Sequence, residues 1–288
     1  MIKSSELILN PDRSVYHLNL KPEHITRDII FVGDPDRVSK ITQYFENIEF
    51  STQKREFKTE TGTYKGKRLT VQSTGIGSDN IDIVMNELDA LVNVNLNTRE
   101  IKKNHTSLNI VRIGTSGSLQ ADIPVDSWVM SKYAIGLDNM LRSYLIEEHS
   151  DSELEDAFIA QTNWDIRKGR PTVVSCNEFL ENKIYSEKFY KGFTGTAGGF
   201  YGPQGRVVRL NIQDSELNNK MDNFNFNGIR MTNLEMETSA IYGLGKLLGH
   251  NCLSLNAIIA NRALGEFSSN PEKTVNELIA YTLDKLVG

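Results

Sequence analysis

Two segments of this chain combine glycine, hydroxyl and arginine in a pattern suited to an anion: Gly33-Asp34-Pro35-Asp36-Arg37 and Arg112-Ile113-Gly114-Thr115-Ser116-Gly117. Glycines let backbone N–H groups approach an oxyanion, the hydroxyls of Thr115 and Ser116 add donors, and arginines supply planar, bidentate charge. A single such segment is more simply a tight strand-to-helix turn with a surface arginine. Two of them, each after an apolar run that reads as a buried strand (28–33 and 108–113), point to a phosphate-sized anion. Arg112 adds weight, because it interrupts Leu108, Ile110, Val111 and Ile113, and a charge within such a run needs a partner.

Two further segments carry polar chemistry. Glu235-Met236-Glu237-Thr238-Ser239 sets two carboxylates two residues apart, on one face if the backbone is extended, just before an apolar helix that Thr238 or Ser239 could cap. Residue types alone favour cap and surface charge for the glutamates; the sharper alternative has Glu237 at a strand end, accepting hydrogen bonds from sugar hydroxyls. The glycine-dense stretch 195–206 carries Phe200, which could stack on a planar ring, and Gln204 and Arg206, which could bond its polar edge. Its plainer reading is a mobile surface loop.

Other patterns fail on inspection. Gly62-Thr63-Tyr64-Lys65-Gly66-Lys67 is one residue short of a P-loop and lacks the hydroxyl after the lysine, so it reads as a hairpin turn. Gly75-Ile76-Gly77 lacks the third glycine of a dinucleotide fingerprint. The five histidines show no metal-ligand spacing, and neither Cys176 nor Cys252 has a basic neighbour that would activate a thiol.

The elements that must position these residues alternate between strand and helix. Strands are expected at 28–33, 108–113, 128–135, 172–175 and 253–260, with a hairpin over 56–71. Helices are expected after Pro35, after Gly77 (Ile81, Val84, Leu88 and Leu91 on one face), over 238–248 up to Gly249, and from Asn270-Pro271 to the end. This alternation predicts an α/β fold, a sheet with helices on both faces. We read 1–288 as one domain with a polar, helical surface excursion over 141–170.

Composition bounds the function. The 288 residues carry 32 Lys and Arg against 37 Asp and Glu, a formal net charge of −5, which argues against a nucleic-acid or anionic-membrane surface. No apolar run reaches the ~18 residues of a membrane span. Two cysteines make neither a disulfide framework nor a four-ligand zinc site, so a reducing cytoplasm is the expected setting.

Taken together, the segments resemble the nucleoside phosphorylase family. The resemblance runs in family order through Tyr16-His17-Leu18, Gly33 to Val38, Arg55-Glu56-Phe57, Ser73 to Gly77, Arg112 to Gly117, Phe200-Tyr201, Gln204-Gly205-Arg206, Glu235-Met236-Glu237 and Asn261-Arg262. It implies a mixed central β-sheet, partly barrel-like and flanked by helices. The implied activity is phosphorolysis of uridine to uracil and ribose 1-phosphate, a pentosyl transfer in pyrimidine salvage. Inorganic phosphate would be the co-substrate, with no cofactor.

The resemblance assigns phosphate to Gly33, Arg37, Arg112, Thr115 and Ser116, with Arg55 reaching the site of a neighbouring subunit. Ribose falls to Met236 and Glu237, and to His17 from the neighbour; the base falls to Phe200, Gln204 and Arg206. Arg112, Glu237 and Arg206 would carry catalysis. The family's bacterial uridine enzymes are homohexamers with sites shared across dimers. Some members hold a monovalent cation, K+, between subunits; here the site would lie near Glu56, Ile76 and Asn80, where Asp79 and Asn80 replace the usual Pro and Ser. Purine enzymes of the family protonate the base with an aspartate after serine, and this chain reads Asn261-Arg262 there. A purine phosphorylase, a nucleosidase and a non-catalytic nucleoside-binding protein are the alternatives. Because Arg112 is expected to face the ligand, Arg112→Ala is expected to affect phosphate dependence far more than stability.

Overall fold

The computed structural model describes the chain from Met1 to Gly288. Its principal strands are β1 (Asp28–Val32), β2 (Asn47–Lys54), β3 (Phe57–Tyr64), β4 (Lys67–Ser73), β5 (Asn109–Ser118), β6 (Trp128–Gly136), β7 (Thr172–Ser175), β8 (Phe189–Thr196), β9 (Ile229–Glu235) and β10 (Asn251–Asn261). Across the sheet they run β9-β8-β6-β10-β5-β1-β4-β3-β2, with β7 paired to β6. β9 also pairs with β5, Asn233 opposite Ser118, which closes β9, β8, β6, β10 and β5 into a ring. The sheet is mixed: β1 is parallel to β4 and β5, whereas β2, β3 and β4 form an antiparallel meander. The expected partly barrel-like α/β architecture is present.

Helices cover the sheet: α1 (Pro35–Thr42), α2 (Ser78–Asn93), α3 (Ser152–Thr162), α4 (Glu178–Ile184), α5 (Leu217–Asp222), α6 (Thr238–Leu248) and α7 (Pro271–Val287). Local chemistry sets their ends. Pro35 occupies the first turn of α1, and the Asp34 carboxylate accepts from Asp36 N at 2.9 Å. Gly249 ends α6 with a φ of 73°, a left-handed conformation that suits glycine. Covering both faces explains why β1 reads as a continuous apolar run, with Ile29, Ile30, Phe31 and Val32 all buried. The P-loop look-alike is a hairpin: Tyr64 pairs with Lys67, and Lys65 and Gly66 turn with φ of 47° and 74°, as a two-residue loop of right-handed twist demands.

Two expectations need correction. β5 does not turn after Ile113; it continues through Gly114-Thr115-Ser116-Gly117 to Ser118, because β10 pairs along its length and takes the backbone hydrogen bonds that a turn would have freed. Gly114 therefore serves clearance. A Cβ there would lie 1.9 Å from Arg112 Nη1. Gly114→Ala is expected to cost about 1–3 kcal/mol through overpacking and to displace the Arg112 side chain. Urea denaturation checks this, and an unchanged midpoint would refute it.

The 141–170 segment is likewise more than a surface excursion. Leu154 and Phe158 of α3, with Trp164, pack against Phe193, Phe224 and Met231 in a second core. Its buried carboxylate, Glu155, pairs with Arg142 (2.7 Å) and Arg170 (2.8 Å) and accepts from Val173 N, so the polar composition is satisfied inside.

Candidate active site

β1, β4, β5 and β10 run parallel, and their C-terminal parts meet the end of β9, which runs antiparallel to β5, around one cleft beyond the strand ends, where α/β sheets bind ligands. A cleft of about 670 Å³ opens there, lined by Gly33, Arg37, Arg112, Thr115 and Ser116, by Met236 and Glu237, and by Phe200, Gln204 and Arg206. Segments as far apart as 33 and 237 in the chain thus meet in one cavity.

The two glutamates are neither surface charge nor left to a serine or threonine cap. Glu235 and Glu237 are both buried, each 4% exposed. Glu235 supplies the cap of α6, accepting from Glu237 N (2.9 Å) and Thr238 N (3.0 Å), and it receives the Thr196 hydroxyl at 2.7 Å. Relieved of capping, Glu237 accepts from Gly77 N at 2.8 Å and pairs with the Arg112 guanidinium, which also approaches Glu235 at 3.4 Å. Arg112 Nη1 donates to Asn256 Oδ1 at 3.1 Å. Burial opposes the Arg112 charge, but Glu237 and Glu235 outweigh it and hold its pKa above the ordinary value. Burial pushes the Glu237 carboxyl up, Arg112 pulls it back, and Glu235 adds repulsion.

Arg37 is different. Its Nη1 reaches only Ile113 O, at 3.4 Å, and it has no carboxylate partner. Burial and the neighbouring Arg112 charge both lower its pKa. A half-buried guanidinium facing another guanidinium, with Ser116 and Thr115 beside them, is an environment that an anion would relieve.

The base-side loop is tied to itself. Arg206 Nη1 donates to Phe200 O and Gln204 Oε1, each at 2.6 Å, and its guanidinium lies 3.8 Å from the Phe200 ring centroid. Gln204 is buried, while Phe200 is half exposed and faces the cleft. One cation was not among the expected site residues: Arg262, just past β10, donates Nη2 to Gln204 O at 2.7 Å and leaves Nη1 buried without a partner. Burial, with Arg206 nearby, brings its pKa down to about 10. Its signal in the sequence was the same as that of Arg37, an arginine following a buried strand.

The phosphorylase superfamily model matches residues 27–287. The chain belongs to the phosphorylase superfamily. It is 28% identical over 259 residues to a uridine phosphorylase of Thermococcus kodakarensis, covering 90% of this chain and 81% of that one. It is equally 28% identical over 274 residues to a DeoD-type purine nucleoside phosphorylase of Bacillus thuringiensis, covering 94% and 98%. A Trypanosoma brucei nucleoside phosphorylase whose crystal structure is described as showing uridine phosphorylase activity superposes with a TM-score of 0.87 at 29% identity, covering 98% of this chain and 99% of that one.

Within this superfamily member, two expected site residues lie outside the cleft of their own chain. His17 Nδ1 is held by Glu87 at 2.7 Å, and Glu87 also accepts from the backbone N–H groups of His17 and Leu18. Arg55 sits exposed on the β2–β3 turn with a φ of 57°. The expected cation trio does meet, since Glu56, Ile76 and Asn80 all line the cleft. Asn80 Nδ2 donates to Ile76 O at 3.1 Å, which takes one of the two lone pairs of that carbonyl. Both thiols are buried; burial pushes Cys176 up to about 12 and raises Cys252 as well, so neither is a nucleophile. No helix is long and apolar enough to cross a membrane.

Proposed function

We propose that this enzyme cleaves uridine with inorganic phosphate, giving uracil and ribose 1-phosphate. The observation that carries the reading is the lining of the cleft: Arg37, without a carboxylate, and the Arg112–Glu237 pair share one cavity with the bonded pair Gln204 and Arg206. Phosphate would sit between Arg37 and Arg112, bonded by Gly33 N–H and the hydroxyls of Thr115 and Ser116. Met236 and Glu237 would hold the ribose. Phosphate oxygen attacks C1′ as the glycosidic bond lengthens, and the electron pair of that bond leaves with the base. Arg37 and Arg112 position the nucleophile, while Arg206 and Gln204 stabilise charge developing on the uracil carbonyl oxygens.

The pyrimidine assignment rests on what stands at the end of β10. Asn261 is 1% exposed, and its amide donates to Gln120 O and Ile123 O, both at 3.0 Å. It is fully committed to the fold, and the following residue is Arg262, so no carboxylic acid stands ready to protonate a purine ring. Arg55 is exposed and His17 partly exposed outside their own chain's cleft, residues left to complete the cleft of a second copy, which makes a dimer-based oligomer, and the expected hexamer, part of this proposal.

The test is chromatography of free base released from uridine and from inosine, with and without phosphate. Uridine cleavage should require phosphate and exceed inosine cleavage by about tenfold or more. Equal or faster inosine cleavage would overturn the base assignment. Turnover unaffected by removing phosphate would make the protein a nucleosidase. Calorimetric binding of uridine with no ribose 1-phosphate formed would make it a binding protein.

A further inference from the structure

Beside the nucleoside cleft lies a second cavity, of about 730 Å³, with no role in the reaction above. One wall is the Trp164–Lys168 stretch; the other is the segment 198–214, whose opposite side carries Phe200, Gln204 and Arg206 into the cleft. Its body is apolar, with buried Trp164 and Leu217 and half-buried Ile212. Three cations border it, Lys168, Arg206 and Arg209, against one carboxylate, Asp214.

That carboxylate pairs with Lys220 at 2.8 Å and is also near enough to Lys168 to feel its charge. The neighbouring Asp165 is taken by Arg167 at 2.6 Å and receives the Gln213 amide. Lys168 rests its ammonium over the Trp164 ring at 4.8 Å, and Arg206 donates only to Phe200 O and Gln204 Oε1. The cavity is therefore an apolar pocket with an excess of positive charge at its border. Its volume falls within the ~300–1,000 Å³ typical of small-molecule sites.

We propose that this cavity binds an aromatic carboxylate, its ring against Trp164, Ile212 and Leu217 and its anion among Lys168, Arg209 and Arg206. The apolar walls reject inorganic phosphate, which would lose hydration there without compensation, and the cations disfavour a neutral ring of the same shape. Arg206 lines both cavities, so the site is also regulatory. A carboxylate drawn to that guanidinium competes with the developing charge of the departing base. Only this regulatory consequence rests on the uridine reading.

Calorimetry of the full chain with naphthalene-1-carboxylate tests binding directly, without reference to activity. One molecule should bind per chain. Ile212→Glu, which places a competing carboxylate at a half-buried position, and Lys168→Met should each weaken binding about tenfold or more while keeping the wild-type thermal midpoint. Naphthalene-1-carboxamide should bind far more weakly than the carboxylate. Absence of binding, equal binding of the amide, or undiminished binding to both variants would overturn the proposal. In the uridine assay the probe should lower kcat to a plateau; simple competition, a uridine KM that rises without limit at unchanged kcat, would place it in the nucleoside cleft and overturn the second site. Should uridine prove not to be cleaved, the calorimetric results still decide the binding proposal.

Discussion

Arg112→Ala is expected to cost the fold about 3–5 kcal/mol and to abolish turnover together, because it removes one member of a buried charge network. The sequence-based expectation was different: an arginine facing a ligand, replaceable with little structural penalty. In the structure its guanidinium compensates Glu237 and Glu235, both 4% exposed, and donates to Asn256. Alanine leaves two carboxylates close together in a buried place with no counter-charge. One of them must take up a proton, which raises the folded-state carboxyl pKa above its unfolded value. Such a group binds protons more tightly when folded, so the variant's deficit should shrink as the pH falls through that raised pKa and be largest above it. Arg112→Lys should recover part of the stability and little of the activity, since a point charge replaces a planar fork. Urea midpoints across pH, beside turnover, measure both effects. A wild-type midpoint in Arg112→Ala would restore the purely ligand-facing role.

The comparison of sequence with structure separates what is local from what is not. The Lys65-Gly66 turn, the α1 start at Asp34-Pro35 and the stop at Gly249 were legible because each depends on a few neighbouring residues and on backbone conformation. The convergence of Arg37, Arg112, Glu237 and Arg206 was legible only through the order of short motifs, since no spacing in the chain brings residue 37 beside residue 237. Burial was not legible where it overrides composition. Glu235 and Glu237 have the residue types of a helix cap and a wet surface, yet β9 and α6 carry them inside, where one caps and the other pairs with arginine.

The 141–170 segment misled in the same way: it reads as a polar surface, yet the fold places its Glu155 at the centre of a two-arginine cluster. The run Gly114 to Gly117 resembled a turn because glycine and hydroxyls are typical of turns. In β5 the strand continues, and Gly114 makes room for a side chain two residues before it. Arg262 was read only as standing where purine enzymes have their acid, and not as a site cation, because a single arginine after a strand carries no more signal than any other; its unpartnered Nη1 exists only in three dimensions.

Arg37→Ala should separate activity from stability where Arg112→Ala cannot. Arg37 contributes one long hydrogen bond to Ile113 O and no ion pair, while burial and Arg112 both press against its charge. Its removal should therefore move the unfolding free energy by no more than about 0.5 kcal/mol, and the loss of repulsion offsets the lost contact. The proposed phosphate, by contrast, loses an arginine that no carboxylate already holds. Arg112 can serve the anion only by sharing its guanidinium with Glu237, so Arg37 cannot be replaced by its neighbour. Turnover per unit phosphate should fall about 100- to 1,000-fold, the usual cost of deleting a preorganised donor to a reacting anion. A second readout needs no turnover: phosphate that binds only the folded chain raises its thermal midpoint, and that rise should be present in the wild type and lost in Arg37→Ala. If the variant keeps both the phosphate dependence of its rate and the protection by phosphate, Arg37 does not hold the anion, which then lies elsewhere in the cleft.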